Sequence, residues 1–102
     1  MPVEIKRNGD TVTALISGEI DHHSAARLRE KIDDSAERMR PKLLRLDFSG
    51  VTFMDSSGVG LIMGRYRLMS ESGGRVSVCG ASPMNARMLK LAGLGRLGID
   101  GI

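Results

Sequence analysis

The chain has 102 residues, 41% hydrophobic and 26% charged, with a formal net charge of +3. That length and balance describe one small globular domain over residues 1–102. Lys and Arg are scattered and aromatics make up only 3% with no Trp, so the basic stripe with stacking aromatics that nucleic-acid binding needs is missing. The lone cysteine, Cys79, excludes an internal disulfide, and no Cys/His set has zinc spacing.

Taken in order, Val3-Glu4-Ile5-Lys6 alternates apolar and polar as a half-buried strand does. Asn8-Gly9-Asp10 is a turn signal, and Thr11 to Ser17 is rich in β-formers, so the two segments are predicted to form a hairpin that Gly18 ends. Asp21 or Ser24 then caps a helix whose apolar stripe is Ala25, Leu28, Ile32, Ala36 and Met39, and Pro41 stops it. Leu43 to Phe48 reads as a central strand broken by Ser49-Gly50. Beyond Gly58, the residues Val59, Ile62, Met63, Tyr66 and Met69 make one helical face, with Arg65, Arg67 and Ser70 off it, and Gly73-Gly74 terminates the helix.

Arg75 to Cys79 alternates as a further strand, with Cys79 expected to be a small buried residue. Ser82-Pro83 opens a last helix with Met84, Met88, Leu89 and Leu91 as its apolar face, and Gly93-Leu94 stops it. Leu97 to Ile102 reads as a closing edge strand. Strands alternating with helices after a hairpin predict an α/β fold, a mixed β-sheet built from an N-terminal hairpin and βαβ units. No apolar run approaches the roughly 20 residues of a membrane span, and the first residues lack a signal peptide's apolar core, so the cytoplasm is the expected compartment and no membrane contact is expected.

The stretch that stands out is Phe53-Met54-Asp55-Ser56-Ser57-Gly58-Val59-Gly60, where a strand hands over to a helix. A helix start has unpaired N–H groups and a positive dipole end, and both favour a phosphate. One capping residue would explain either serine, yet three polar residues are consecutive. Gly58 and Gly60 weaken the first turns, which suggests that something must approach them from outside. Ser56 or Ser57 with His22 or His23 and Asp21 or Asp55 supplies the residue types of a catalytic triad, but the Gly-x-Ser-x-Gly elbow is absent because Met54 precedes Ser56 by two. A nucleotide loop is equally weak, since neither a Walker A Gly-Lys-Ser/Thr nor a third dinucleotide glycine is present. The remaining reading is a phosphoacceptor: a phosphoryl group on either serine would bring a charge of about −1.5 to −2 beside Asp55 and disrupt a docked partner's fit.

Gly18-Glu19-Ile20-Asp21-His22-His23 together with Met54-Asp55-Ser56-Ser57-Gly58-Val59-Gly60 and Gly64-Arg65-Tyr66 resembles the STAS-domain anti-sigma factor antagonists, most closely the sporulation sigma-F type. The likeness continues through Gly73-Gly74, Val78-Cys79 and Ser82-Pro83 to Gly93-Leu94. It implies a STAS-like single domain, with the sheet flanked by about three helices. It also implies a protein with no catalysis or cofactor of its own, a monomer when free. The unphosphorylated form would bind an anti-sigma factor that is itself a serine kinase and so release a sigma factor. That kinase would use ATP to phosphorylate Ser56, the first serine of the pair, and a PP2C-type phosphatase would reverse it. Asp21, Asp55, Ser57, Gly58 and Gly60 would belong to the partner-binding surface. The roles of His22 and His23 stay open between a helix-start contact and a partner contact. A second reading is a STAS scaffold in a larger stress-signalling assembly, regulated through the same serine.

Overall fold

The structure, a computed structural model, describes residues 2–102. Two strands open the chain, β1 (Val3–Asn8) and β2 (Thr11–Ile20), joined across Gly9 and Asp10 with Asn8 opposite Thr11. Gly9 takes a left-handed φ of 61°, as so tight a turn requires. Helix α1 (His22–Met39) crosses to β3 (Leu43–Met54), α2 (Ser56–Glu71) crosses to β4 (Arg75–Cys79), and α3 (Pro83–Leu91) follows. Among the described residues the strands form one four-stranded sheet in the order β1-β2-β3-β4, the first pair antiparallel and the rest parallel.

Period-two alternation gives this sheet one apolar face. Val3, Val12, Ala14, Ile16, Leu44, Leu46, Phe48, Val76 and Val78 are buried on it, while Glu4, Lys6, Arg45 and Arg75 on the other face are exposed. Leu28, Ile32 and Ala36 from α1, Leu61, Ile62 and Met69 from α2, and Leu89 from α3 join the same core. The mixed sheet and its helices are those expected from the alternation of elements.

Two strands run further than the sequence suggested. Gly18 does not end β2; with a φ of 83° it sits where the register to β3 slips, and the strand continues to Ile20. Gly50 does not break β3 either. It pairs with Ser17, and a Cβ there would lie 3.0 Å from Ile16 O, so glycine marks a close approach of two strands and not an end. Conversely, the closing edge strand expected over Leu97 to Ile102 is not formed. A 3₁₀ turn spans Leu94–Leu97, and the segment makes one parallel bridge, Ser77 to Asp100, because Gly98 and Gly101 both adopt left-handed φ values on either side of it.

Other departures concern burial. Cys79 is only half-buried, on the outer face beside Asp47; its partial burial, and after that the Asp47 charge, pushes the thiol's pKa up. On α3 the buried stripe is Asn85 and Leu89, so Met84 and Leu91 lie on its flank and are exposed. Arg65, expected off the apolar face of α2, is 5% exposed and lies among that face's buried residues.

Candidate functional site

β2 and β3 are parallel, and their last residues, Ile20 and Met54, are paired. Each strand is followed by one aspartate and then a helix, so Asp21 and Asp55 emerge side by side at the carboxyl rim of the sheet. A backbone bond from Asp55 N–H to Ile20 O at 3.1 Å ties the two helix starts together.

Asp21, not Ser24, is the N-cap of α1. Its carboxylate accepts from His23 N–H at 3.0 Å and from Ser24 N–H at 2.9 Å. Ser24 answers as the other half of a capping box: its Oγ accepts from Asp21 N–H at 3.0 Å and donates to Glu19 O at 2.8 Å. The bond from Ser24 N–H, with smaller help from the Ser24 hydroxyl and His23, holds the Asp21 carboxyl below its ordinary pKa, so it is anionic at neutral pH. Asp55 caps α2 in the same way, accepting from Ser57 N–H at 2.8 Å.

Ser56 is therefore the first residue of α2, exposed, between the Asp55 cap and the half-buried Ser57. No hydrogen bond among the described residues engages its hydroxyl. The N–H supply at this helix start is smaller than the sequence suggested. Ser57 N–H goes to the Asp55 carboxylate and Gly58 N–H to Asp55 O at 3.0 Å, so the cap itself occupies donors that a phosphate would otherwise use. What remains for an anion is the dipole and the Ser56 amide, with a carboxylate next door.

The two glycines differ. Gly58 is buried, and a Cβ there would overlap the Met54 side chain, so this glycine lets α2 seat on the end of β3. Gly60 is exposed and a Cβ there would meet nothing within 4 Å, so the fold itself does not require it. The rim also carries Phe53, 52% exposed, a large apolar side chain three residues from Ser56 that opens the Phe53–Gly60 stretch but to which sequence reasoning gives no role of its own. Its signal was its position at the exposed end of a strand, just ahead of the polar motif.

His22 and His23 are exposed in the first turn of α1, and their rings lie against each other with centroids 4.0 Å apart and planes tilted by 37°. Neither ring is hydrogen-bonded to Ser56 or Ser57 among the described residues. Sequence reasoning also missed an ion pair farther along the two helices, Arg65 Nε to Asp33 Oδ1 at 2.7 Å, which joins α2 to α1. Its signal was the spacing Leu61, Arg65, Met69, which puts an arginine four residues from each of two core positions.

A one-sided sheet, two capped helix starts and an exposed serine beside the Asp55 cap make up a small α/β domain with an open rim. The chain belongs to the STAS domain family, whose model matches residues 2–98. It is 34% identical over 94 residues to the anti-sigma F factor antagonist of Paenibacillus polymyxa, covering 92% of this chain and 80% of that one. It is also 34% identical over 92 residues to the anti-sigma-B factor antagonist of Bacillus subtilis, covering 90% of this chain and 83% of that one. Among solved structures it is similar to the anti-sigma factor antagonist SpoIIAA in its unphosphorylated form, with a TM-score of 0.81 and 31% identity over 93% of this chain and 84% of that one. The phosphorylated form of SpoIIAA from Bacillus matches with a TM-score of 0.74 and 31% identity, covering 93% of this chain and 86% of that one. No helix among the described residues is long and apolar enough to cross a membrane.

Proposed function

We propose that this chain is a phosphorylation-gated binding module, an anti-sigma factor antagonist whose switch is Ser56. The observation that carries the reading is the exposed Ser56 hydroxyl at the rim where Asp21 and Asp55 emerge together. Unmodified, the rim presents Ser56, the open Gly60 and the apolar Phe53 to an anti-sigma factor with serine-kinase activity, and binding it frees the sigma factor. The kinase transfers a phosphoryl group from ATP to Ser56 Oγ. The added charge of about −1.5 to −2 then lies beside two carboxylates. Because the Asp55 cap already uses the neighbouring N–H groups, little of that charge is absorbed within the chain, and the rim becomes much more strongly negative. The partner's complementary surface loses its fit, and a PP2C-type phosphatase restores it.

Similarity to antagonists of both sigma F and sigma B supports the partner class without choosing a pathway. Exposure favours Ser56 over the half-buried Ser57, and a relative solved in both unphosphorylated and phosphorylated forms supports modification as the switch. The test is intact mass and peptide mapping after incubation with an anti-sigma serine kinase and ATP. One added phosphate on Ser56 is expected. Addition on Ser57 corrects the residue, and no addition by a kinase active on another antagonist rejects the switch.

A further inference from the structure

The N-terminal part of α2 from Ser56 to Gly64, nine of its 16 residues, contains Gly58, Gly60 and Gly64. Each glycine in a helix interior weakens it by about 1 kcal/mol relative to alanine. This part is pinned at one end by the Asp55 N–H bond to Ile20 O. Immediately after the last of these glycines comes Arg65. Its guanidinium is 6% exposed, contacts the Asp33 carboxylate of α1 at 2.7 Å, and reaches Leu61 O on its own helix through Nη1 at 3.4 Å. Asp33 Oδ1 and Arg65 Nε are off the line of a good hydrogen bond, so charge attraction holds the contact. Burial opposes the charged form of both groups, raising the Asp33 pKa and lowering that of Arg65, and Arg29 and Glu37 on α1 add their own charges around Asp33. Such a pair is a poor source of stability.

We infer that Asp33 and Arg65 are positioning residues for the phosphoacceptor site, a second anchor that brackets the glycine-rich part of α2 and holds Ser56 in register with Asp21. Along their helices Arg65 lies about 13 Å from Ser56 and Asp33 about 18 Å from Asp21. With the backbone bond at the rim, the pair gives α1 and α2 two fixed points, and two points set the relative direction of the helices. An apolar interface alone would allow α2 to slide or roll on α1, and the glycines would let its first turns follow.

The inference rests on the proposed switch for its kinetic readout but not for its structural one. The pairless double variant Asp33→Leu with Arg65→Met keeps an apolar, similarly sized interface, and Arg65→Lys keeps a charge pair. In the free proteins, amide ¹H–¹⁵N shifts of residues 21–24 and 55–58 are expected to move in the double variant and to stay close to the parent in Arg65→Lys. With the kinase, the double variant is expected to raise the KM for phosphorylation about tenfold with a smaller change in kcat, since a displaced acceptor is bound less well in its reactive pose. A folded double variant with unmoved rim amides and unchanged KM overturns the inference. If the double variant does not fold, Asp33→Asn is followed through the same amides and the same constants: moved amides with a raised KM support the anchor, and unmoved amides with an unchanged KM overturn it. If the parent itself is not phosphorylated, the switch reading fails, while the amide shifts still decide the positioning role.

Discussion

Gly58 and Gly60 lie two residues apart on α2 and face opposite constraints. At Gly58 a new Cβ collides with Met54, so Gly58→Ala is expected to destabilise the fold by about 1–3 kcal/mol although alanine is the better helix former. At Gly60 the space is open, so Gly60→Ala is expected to stabilise by about 0.5–1 kcal/mol. Urea midpoints of the two variants, moving in opposite directions, check this. A Gly60→Ala protein that is more stable yet binds the kinase less well would locate a close approach of the partner there. Asp21 supplies a second test at this scale. Its folded pKa lies below the unfolded value, chiefly through the Ser24 N–H bond, so its contribution is present above the ordinary aspartate pKa and is lost as pH falls through the folded value. Asp21→Asn keeps an oxygen acceptor for the cap but has no proton to gain. Urea midpoints between pH 5 and pH 2 are expected to fall more steeply in the parent than in the variant; parallel curves would contradict the assignment.

At the scale of elements, the α1–α2 interface holds an ion pair where hydrophobic side chains would fit. Removing Asp33 leaves Arg65 buried and charged, whereas removing Arg65 leaves Asp33, 28% exposed, able to reach water and still near Arg29. Asp33→Leu is therefore expected to cost more than Arg65→Met, toward ~3–5 kcal/mol, while the double variant comes close to the parent. Denaturation of the three variants tests that order. The same interface shows why some of the fold is legible in the sequence and some is not. The buried faces of β2, β3 and β4 follow strict alternation, and the Asp-Ser-Ser-Gly motif announces the helix start at Ser56. Glycine inside the strands misleads because Gly18 and Gly50 serve a register slip and a close strand approach, which depend on a neighbour far away in the chain. Arg65 misleads because a charged residue in an apolar stripe is assigned to solvent unless its partner is known, and Asp33 lies 32 residues earlier.

For the whole molecule, the two capped helix starts share one rim of the sheet, at the paired ends of β2 and β3. A groove of about 700 Å³ lies at the opposite ends of α1 and α2, lined in part by Ala36, Pro41, Leu68 and Met69, well separated in the fold from Ser56. A formal net charge of +3 falls to about +1 on one phosphorylation, so the change is large for the chain and larger still at a rim that already carries Asp21 and Asp55. The fold need not rearrange for this to matter, because the capping bonds of Asp21 and Asp55 do not involve the Ser56 hydroxyl. The most direct test is calorimetric titration of an anti-sigma serine kinase with the unmodified chain and with the chain phosphorylated at Ser56. Binding is expected to weaken at least about tenfold on phosphorylation, with the circular dichroism of the free chain unchanged. Equal affinity of the two forms would contradict the charge-gated switch.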